Sequence, residues 1–418
     1  MRLAAIVAVL LLAWPAEATD LRIAVLGDPQ WATYCAASDA AVAQTDAAVA
    51  WIVANASDID VAFITGDLSM QRGRNTAAAP LEDCDCLSQT PDPGACAGFT
   101  SVYQPGGCSD CDNSEAVGCR YDDGTGAADH TTAKADCEWI RARNIVDRIE
   151  AAGVPAIVTS GNHDYNELAA TGDDWTNYGR FFGMNRLPIG AKEVGGYLSP
   201  LYSTSAPSYY AVIAAGGIDW LFISTKYPDD AADQQLAMTW ALSVMDDHPG
   251  LPTITLTHRQ VDTDGWQSNS PYNYLDEQLN VRPQVFLNLS GHQAGFGMSE
   301  DSHIKTHATS GELIVGAVHD YSYDGHALGG LPAWVTEANG GGGVVGVIYI
   351  DAYAGSISKR SFSPTEGERV VITGGDGRNE VDWLHHVPIC GQSRFTIPDG
   401  AAACDAPLRA PGCWQERR

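Results

Sequence analysis

The sequence is short of positive charge: 24 lysines and arginines stand against 52 aspartates and glutamates, a formal net charge of −28 over 418 residues. So acidic a surface repels polyanions, which argues against nucleic acid and against an anionic membrane surface as partners, since both need basic patches. Internal repeats are also lacking, which sets aside a solenoid. Beyond residue 18 no apolar stretch approaches the ~20 residues of a bilayer-crossing helix. With 45% hydrophobic residues and few charge blocks, the chain reads as a soluble globular protein.

The one long apolar run lies at the start, in "MRLAAIVAVLLLAWPAEATD". A positive charge at Arg2, apolar residues from Leu3 to Trp14 and small residues at Ala16 and Ala18 predict a secretory signal peptide over residues 1–18, with the mature chain beginning near Thr19. The expected location is therefore secreted or periplasmic. All eleven cysteines fall after this segment, and seven of them (Cys84, Cys86, Cys96, Cys108, Cys111, Cys119, Cys137) sit within Cys84–Cys137. In an exported chain that density reads as a disulfide framework. Cys108-Ser-Asp-Cys111 has the local spacing of a zinc pair, but no second pair stands at zinc-ribbon distance. Cys390, Cys404 and Cys413 form a second group in the tail, Cys35 stands alone, and the odd count leaves one thiol over.

From Leu21 onwards strand-like and helix-like patterns alternate. "LRIAVLG" is a buried-strand run, and Ser38 caps an Ala- and Val-rich helix to Asn55. "DIDVAFITGDL" is a second strand. Residues 72–137 then break the rhythm as an irregular, disulfide-rich insertion. A helix is expected over Ala133–Ala152, stopped by Gly153, followed by the strand in "VPAIVTSGNHD". "YYAVIAAGGIDWLFIST" reads as a hairpin turning at Gly216-Gly217, "QQLAMTWALSVM" as a helix, and "PTITLTH" and "QVFLNLSGH" as strands. The last third, with "GELIVGAV", "GGGVVGVIYID" and "GSISKRSF", predicts antiparallel strands completing a second sheet, and residues 365–418 a Cys-containing extension.

Five of the strands end in polar residues able to bind metal. These are Asp28 and Gln30 in "GDPQ", Asp67 in "GDL", Asn162, His163 and Asp164 in "GNHD", His258 in "TH", and His292 in "GH". Taken singly, Gly-Asp after a strand is an ordinary turn, and a lone histidine there is more often a hydrogen-bonded structural residue than a ligand. "GNHD" is sharper, because turn chemistry does not call for three adjacent polar side chains. Open α/β sheets place their sites at the carboxyl ends of strands, and there five such endings can converge.

In this order the endings resemble the calcineurin-like metallophosphoesterases, whose motifs are Asp-x-His, Gly-Asp, Gly-Asn-His-Asp or Glu, a separate His, and Gly-His-x-His. The resemblance spans residues 21–364, and the catalytic domain it implies is residues 19–364. It implies a four-layer α/β/β/α sandwich of two mixed sheets with flanking helices, two divalent metal ions, and a small phosphorylated substrate. Carried over, Asp67 bridges the metals, Asp28 and Gln30 serve the first, and Asn162, His258 and His292 serve the second. His163 becomes the general acid, with Asp164 orienting its ring.

The chain departs from the pattern at Gln30, where His is common, and at Ala294, where the second His of Gly-His-x-His belongs. Both departures fall on the first metal site, which is expected to be weak or empty. A neutral amide oxygen suits Mg, Mn or Ca better than Zn; between these and Fe the sequence does not choose. His303 and His307 follow downstream but read as surface loop residues. Arg259 is a candidate for a phosphate oxygen, and Trp31, Tyr34, Trp175 and Tyr178 are candidates for the cleft wall. Monoesterase and diesterase remain open, as does a member that binds metal or ligand without turnover. Oligomeric state is likewise open.

Overall fold

The computed structural model describes residues 20–33, 39–69, 130–164, 176–184, 187–198, 208–227, 231–259, 261–262, 265–266, 282–292, 302–306, 313–318, 343–352, 355–369 and 383–386. The signal-peptide segment lies outside these residues, as do most of the Cys-rich insertion, Ala294 and the tail cysteines. Among the described residues no helix is long and apolar enough to cross a membrane.

The elements run in order as β1 (Asp20–Leu26), α1 (Gln30–Thr33), α2 (Asp39–Ala54), β2 (Val61–Ile64), α3 (His130–Ala151), β3 (Ala156–Val158), α4 (Thr176–Phe182), β4 (Glu193–Tyr197), β5 (Ser208–Ala215), β6 (Ile218–Ser224) and α5 (Ala231–Asp247). There follow β7 (Thr253–Leu256), β8 (Val261–Asp262), β9 (Gly265–Trp266), β10 (Val285–Ser290), β11 (Ser302–Thr306), β12 (Leu313–Val318), β13 (Val345–Asp351), β14 (Ser356–Ser363), β15 (Glu368–Arg369) and β16 (Trp383–His386). The strands build two seven-stranded sheets and a small β8-β9 ribbon. The first sheet runs β15-β14-β13-β1-β2-β3, with β16 also on β14; the second runs β11-β12-β10-β7-β6-β5-β4.

Both sheets are mixed, and the parallel parts position the site. β1, β2 and β3 are mutually parallel in the first sheet, and β6, β7, β10 and β12 in the second. Parallel strands bring their carboxyl ends to one rim, and each sheet thus gathers its motif-bearing turns together. The sheets then pack on each other. In β1, Leu21, Ile23 and Val25 join a core with Phe63, Ile157, Trp220, Phe222, Leu256 and Leu287. On its other face Ala24 and Leu26 pack with Val49, Ile52, Trp139, Ile149 and Phe181 of α2, α3 and α4. This period-two division between two buried faces explains why β1 reads as a continuous apolar run. On the far side of the second sheet, Leu221, Ile223 and Val212 meet Met238, Ala241 and Met245 of α5. The result is a mixed α/β sandwich.

Each fully buried aliphatic or aromatic side chain in these layers contributes about 1.5–3 kcal/mol. Half-exposed ion pairs such as Arg282–Asp246 (2.8 Å) contribute about 0–1 kcal/mol. Burial, not surface charge, therefore holds this acidic chain together.

Several expectations need correction. β12 pairs antiparallel with β11 in the second sheet, as expected, but on its other side runs parallel to β10. β13 and β14 do pair antiparallel, yet they extend the first sheet beside β1 instead of completing the second. Their alternating burial fits either sheet, so pattern alone does not assign them. The helix expected from Ala133 begins at His130, inside the stretch read as irregular. Past residue 364 the chain still feeds the first sheet, through β15 and β16 on β14. The hairpin at Gly216-Gly217 is as expected: both glycines have positive φ (57° and 80°), which a two-residue turn between twisted strands requires.

Candidate metal centre

Four turns converge at the common rim: residues 65–69 after β2, 159–164 after β3, 257–259 after β7 and 291–292 after β10. Asp67, His258 and His292 each offer a ligand atom, and these atoms lie within 4.8 Å of one another. His258 is central. Its Nε2 is 3.2 Å from Asp67 Oδ2, 2.9 Å from Asn162 Oδ1 and 3.0 Å from His292 Nδ1. On the other side of the ring, Nδ1 donates to the Thr65 carbonyl at 2.8 Å.

A backbone carbonyl can only accept, so this bond places a proton on Nδ1, and in the neutral ring the lone pair is then on Nε2. That lone pair faces a carboxylate oxygen, an amide oxygen and a second imidazole nitrogen. The two oxygens can only accept, so beside the neutral ring they face its lone pair, a repulsion that a cation among them would relieve. The arrangement also matches how metal-ligating histidines are usually held, with the remote ring N–H on a carbonyl.

The protonation states agree. Burial raises the Asp67 pKa, but the nearby His258, His163 and His292 rings outweigh it and hold the carboxyl well below the usual carboxylate range. Burial, then the charge of His258, pulls His292 well below the ordinary imidazole value. An ionised carboxylate beside an imidazole held in its neutral form, as at His292, is what a divalent cation needs. The residues present therefore fit a metal ion, with Asp67, Asn162, His258 and His292 as the set that would hold it.

Two of these residues hold a strained backbone. Asp67 and His292 are the non-glycine residues with positive φ among the described residues, at 46° and 71°. A left-handed conformation costs a residue with a Cβ about 1–2 kcal/mol, and such outliers cluster at functional sites. Two motif glycines are explained by close approach. A Cβ on Gly161 would collide with the Asp67 side chain and backbone, and one on Gly291 with Asp28 Oδ1 and Thr65.

The other expected site residues fall around this centre. Asp28 is buried, and its Oδ2 accepts from the His292 backbone N–H at 2.9 Å. Its Oδ1 accepts from the Thr65 hydroxyl. Asp28 thereby ties the end of β1 to the ends of β2 and β10. Gln30, the first residue of α1, places its side-chain amide 2.9 Å from Asp67 Oδ2 and 3.3 Å from the Asp67 carbonyl; both oxygens can only accept, which assigns the Gln30 NH2 to them. His163 donates its backbone N–H to Asp67 Oδ1 at 2.8 Å. Asp164 Oδ1 accepts from the backbone N–H groups of Leu68 (2.7 Å) and Ser69 (3.0 Å), and Oδ2 from Gly161 (2.7 Å). Its oxygens clamp two turns together. Burial and the charge of Asp67 push its pKa well above the ordinary value, against those three donors.

Arg259 follows His258 at the rim, and its charge contributes to the lowered pKa of His292. The Trp31 side chain, Tyr34, Trp175, His307 and the His303 side chain lie outside the described residues; the His303 backbone belongs to β11. Tyr178 is not a cleft residue. It is buried under α3 with its ring 6.0 Å from Trp139, edge to face, because α4 turns its aromatic side chains inward. Two contributors carried no sequence signal: Thr65, which holds both His258 and Asp28, and Tyr227, whose ring lies against both histidines.

No family model matches the chain and no curated protein matches it. Among solved structures it is similar to GAP50, the anchor in the inner membrane complex of Plasmodium. That likeness covers 86% of this chain and 90% of that one at 12% identity, with a TM-score of 0.37.

Proposed function

We propose that the chain is an exported, metal-dependent phosphoesterase of the calcineurin-like type. One observation carries this reading: Asp67, Asn162, His258 and His292 bring two carboxyl or amide oxygens and two imidazole nitrogens from both sheets together around His258 Nε2. The order of the motifs along the chain and the helices outside both sheets suit the α/β/β/α layering of that family.

A divalent cation held there supplies Lewis acidity to a phosphoryl oxygen and to water. The protein's residues do the rest. Asp67, Asn162, His258 and His292 would hold the principal cation. Asp28 and Gln30 stand where a second would bind, and there Asp28 is already engaged with Thr65 and His292 while no second His follows at Ala294. The first site is thus the weaker. His163, fixed by its backbone to Asp67, protonates the leaving oxygen, and Arg259 forks onto the non-bridging phosphate oxygens. The substrate is a small phosphate ester. The acidic surface of the chain disfavours polyanionic substrates, and the Cys-rich insertion and leader fit an oxidising exterior.

A metal-binding member without turnover is the second reading, favoured by Gln30 and Ala294. Metal analysis of the purified protein, with hydrolysis of an aryl phosphate and of its bis-ester before and after adding Mn²⁺, separates the two. Bound metal with Mn²⁺-stimulated hydrolysis supports the enzyme. Bound metal without hydrolysis of either ester supports the binding module, and absence of metal uptake rejects both.

A further inference from the structure

Tyr227 follows β6, outside the four turns that form the centre, yet its ring lies against both imidazoles. The ring centroids are 5.7 Å apart for His258, edge to face, and 6.2 Å for His292. The two imidazoles are themselves 4.8 Å apart and edge to face, so three rings form one packed group. Tyr227 is 8% exposed, enough burial to exclude a freely swinging side chain.

Its backbone is fixed from several directions. Tyr227 N–H donates to Ser160 Oγ at 2.9 Å, on the turn that carries Asn162. The neighbouring Lys226 N–H donates to Ser208 Oγ at 3.1 Å. The Lys226 ammonium is buried in an ion pair with Asp233 at the start of α5. A buried ion pair is a costly way to gain stability but an effective way to fix one geometry.

An imidazole needs such a wall. The torsion about Cβ–Cγ has broad wells, and His292, on a strained backbone, is the partly exposed member of the cluster. We infer that Tyr227 is a positioning residue of the metal centre: its ring fixes the orientations of His258 and His292 and thereby the geometry and affinity of the bound cation. This rests on the metal reading above and assigns Tyr227 no contact with metal or substrate.

The test uses the full chain loaded with Co²⁺, whose visible absorption band reports ligand geometry independently of turnover. Tyr227→Phe, which keeps the ring, should retain the parent band and affinity. Tyr227→Leu should shift the band and weaken Co²⁺ binding about tenfold or more, the scale expected when a group orienting a ligand is removed. Should the Leu variant fold poorly, Tyr227→Met, whose unbranched chain adapts to an irregular gap without a ring, carries the same expectation. A ring-less variant with the parent's band and affinity overturns the inference, as does a Phe variant that already loses them, since the hydroxyl would then be the active part. A parent chain that binds no Co²⁺ overturns the metal reading itself, which is a distinguishable failure.

Discussion

His258 donates its Nδ1–H to the carbonyl of Thr65 across the seam between the two sheets, at 2.8 Å. Thr65 belongs to the turn after β2 and His258 to the turn after β7, so one hydrogen bond both joins the sheets and sets the tautomer of the central ring. It leaves Nε2 facing Asp67, Asn162 and His292. The first prediction follows. His258→Ala should lower affinity for Mn²⁺ or Co²⁺ by a hundredfold or more, because it removes the nitrogen around which the other donors are arranged, and isothermal titration of the metal-free protein measures this. Retention of parent-like affinity would remove His258 from the ligand set.

Gly161→Ala tests how closely the turns must approach. The new methyl group would collide with Asp67, whose φ of 46° leaves little slack. Forcing atoms into so packed a place costs about 1–3 kcal/mol. Both the melting temperature and metal uptake should fall, whereas a change at Gly153, where a Cβ meets nothing within 4 Å, should leave metal uptake untouched.

The seam extends below the centre, where Tyr209 of β5 bridges to β3. Its hydroxyl donates to the Val158 carbonyl at 2.7 Å and accepts from the Val158 N–H at 2.6 Å. Among the described residues β3 ends the first sheet, so these groups have no strand partner there on that side. Tyr209→Phe strands a buried N–H, at a cost of about 1–3 kcal/mol. The urea midpoint should drop accordingly with an unchanged slope, and a shift below a few tenths of a kcal/mol would mean that another group takes over the bond.

Much of this was legible because the sequence marks where parallel strands stop. Apolar runs ending in Gly66-Asp67, Gly161-Asn162 and Gly291-His292 announce turns, and the polar residues in them announce chemistry. What holds those residues was not legible. Thr65, Tyr209 and Tyr227 belong to no motif, and their roles come from contacts between residues tens to hundreds of positions apart. Sheet membership was hidden for the same reason: β13 alternates as any half-buried strand does, and only pairing with β1 places it. Asp164 was expected to serve His163, but the three backbone N–H groups around its oxygens arise from the close packing of two turns, which one motif cannot announce.

A prediction about pH concerns the edge strand β4, away from the centre. Glu193 accepts from the Tyr210 hydroxyl at 2.7 Å and faces His248 Nε2 at 3.3 Å. The Tyr210 hydrogen bond, then that of His248, lowers the Glu193 pKa below 4.5, while Tyr210 itself is raised to about 12. A lowered folded-state value contributes stability above pH 4.5 that is lost as pH falls through the folded pKa. Tyr210→Phe should therefore move the Glu193 carboxyl titration, followed by NMR, back up towards 4.5. An unmoved titration would assign the shift to His248 alone.

The last prediction separates ligation from proton transfer at "GNHD". His163 is not among the three side chains whose ligand atoms converge, and its hydrogen bond to Asp67 Oδ1 is made by the backbone N–H, which alanine retains. His163→Ala should thus keep Asp67 in place and bind metal with nearly parental affinity. If the imidazole delivers the proton to the leaving oxygen, hydrolysis of a phosphate ester with a poor leaving group should fall by about two decades or more. An ester whose leaving group departs readily as an anion should lose far less, since it needs little protonation. Equal losses for both esters would take the general-acid role from His163, and loss of metal from the variant would instead make it a ligand.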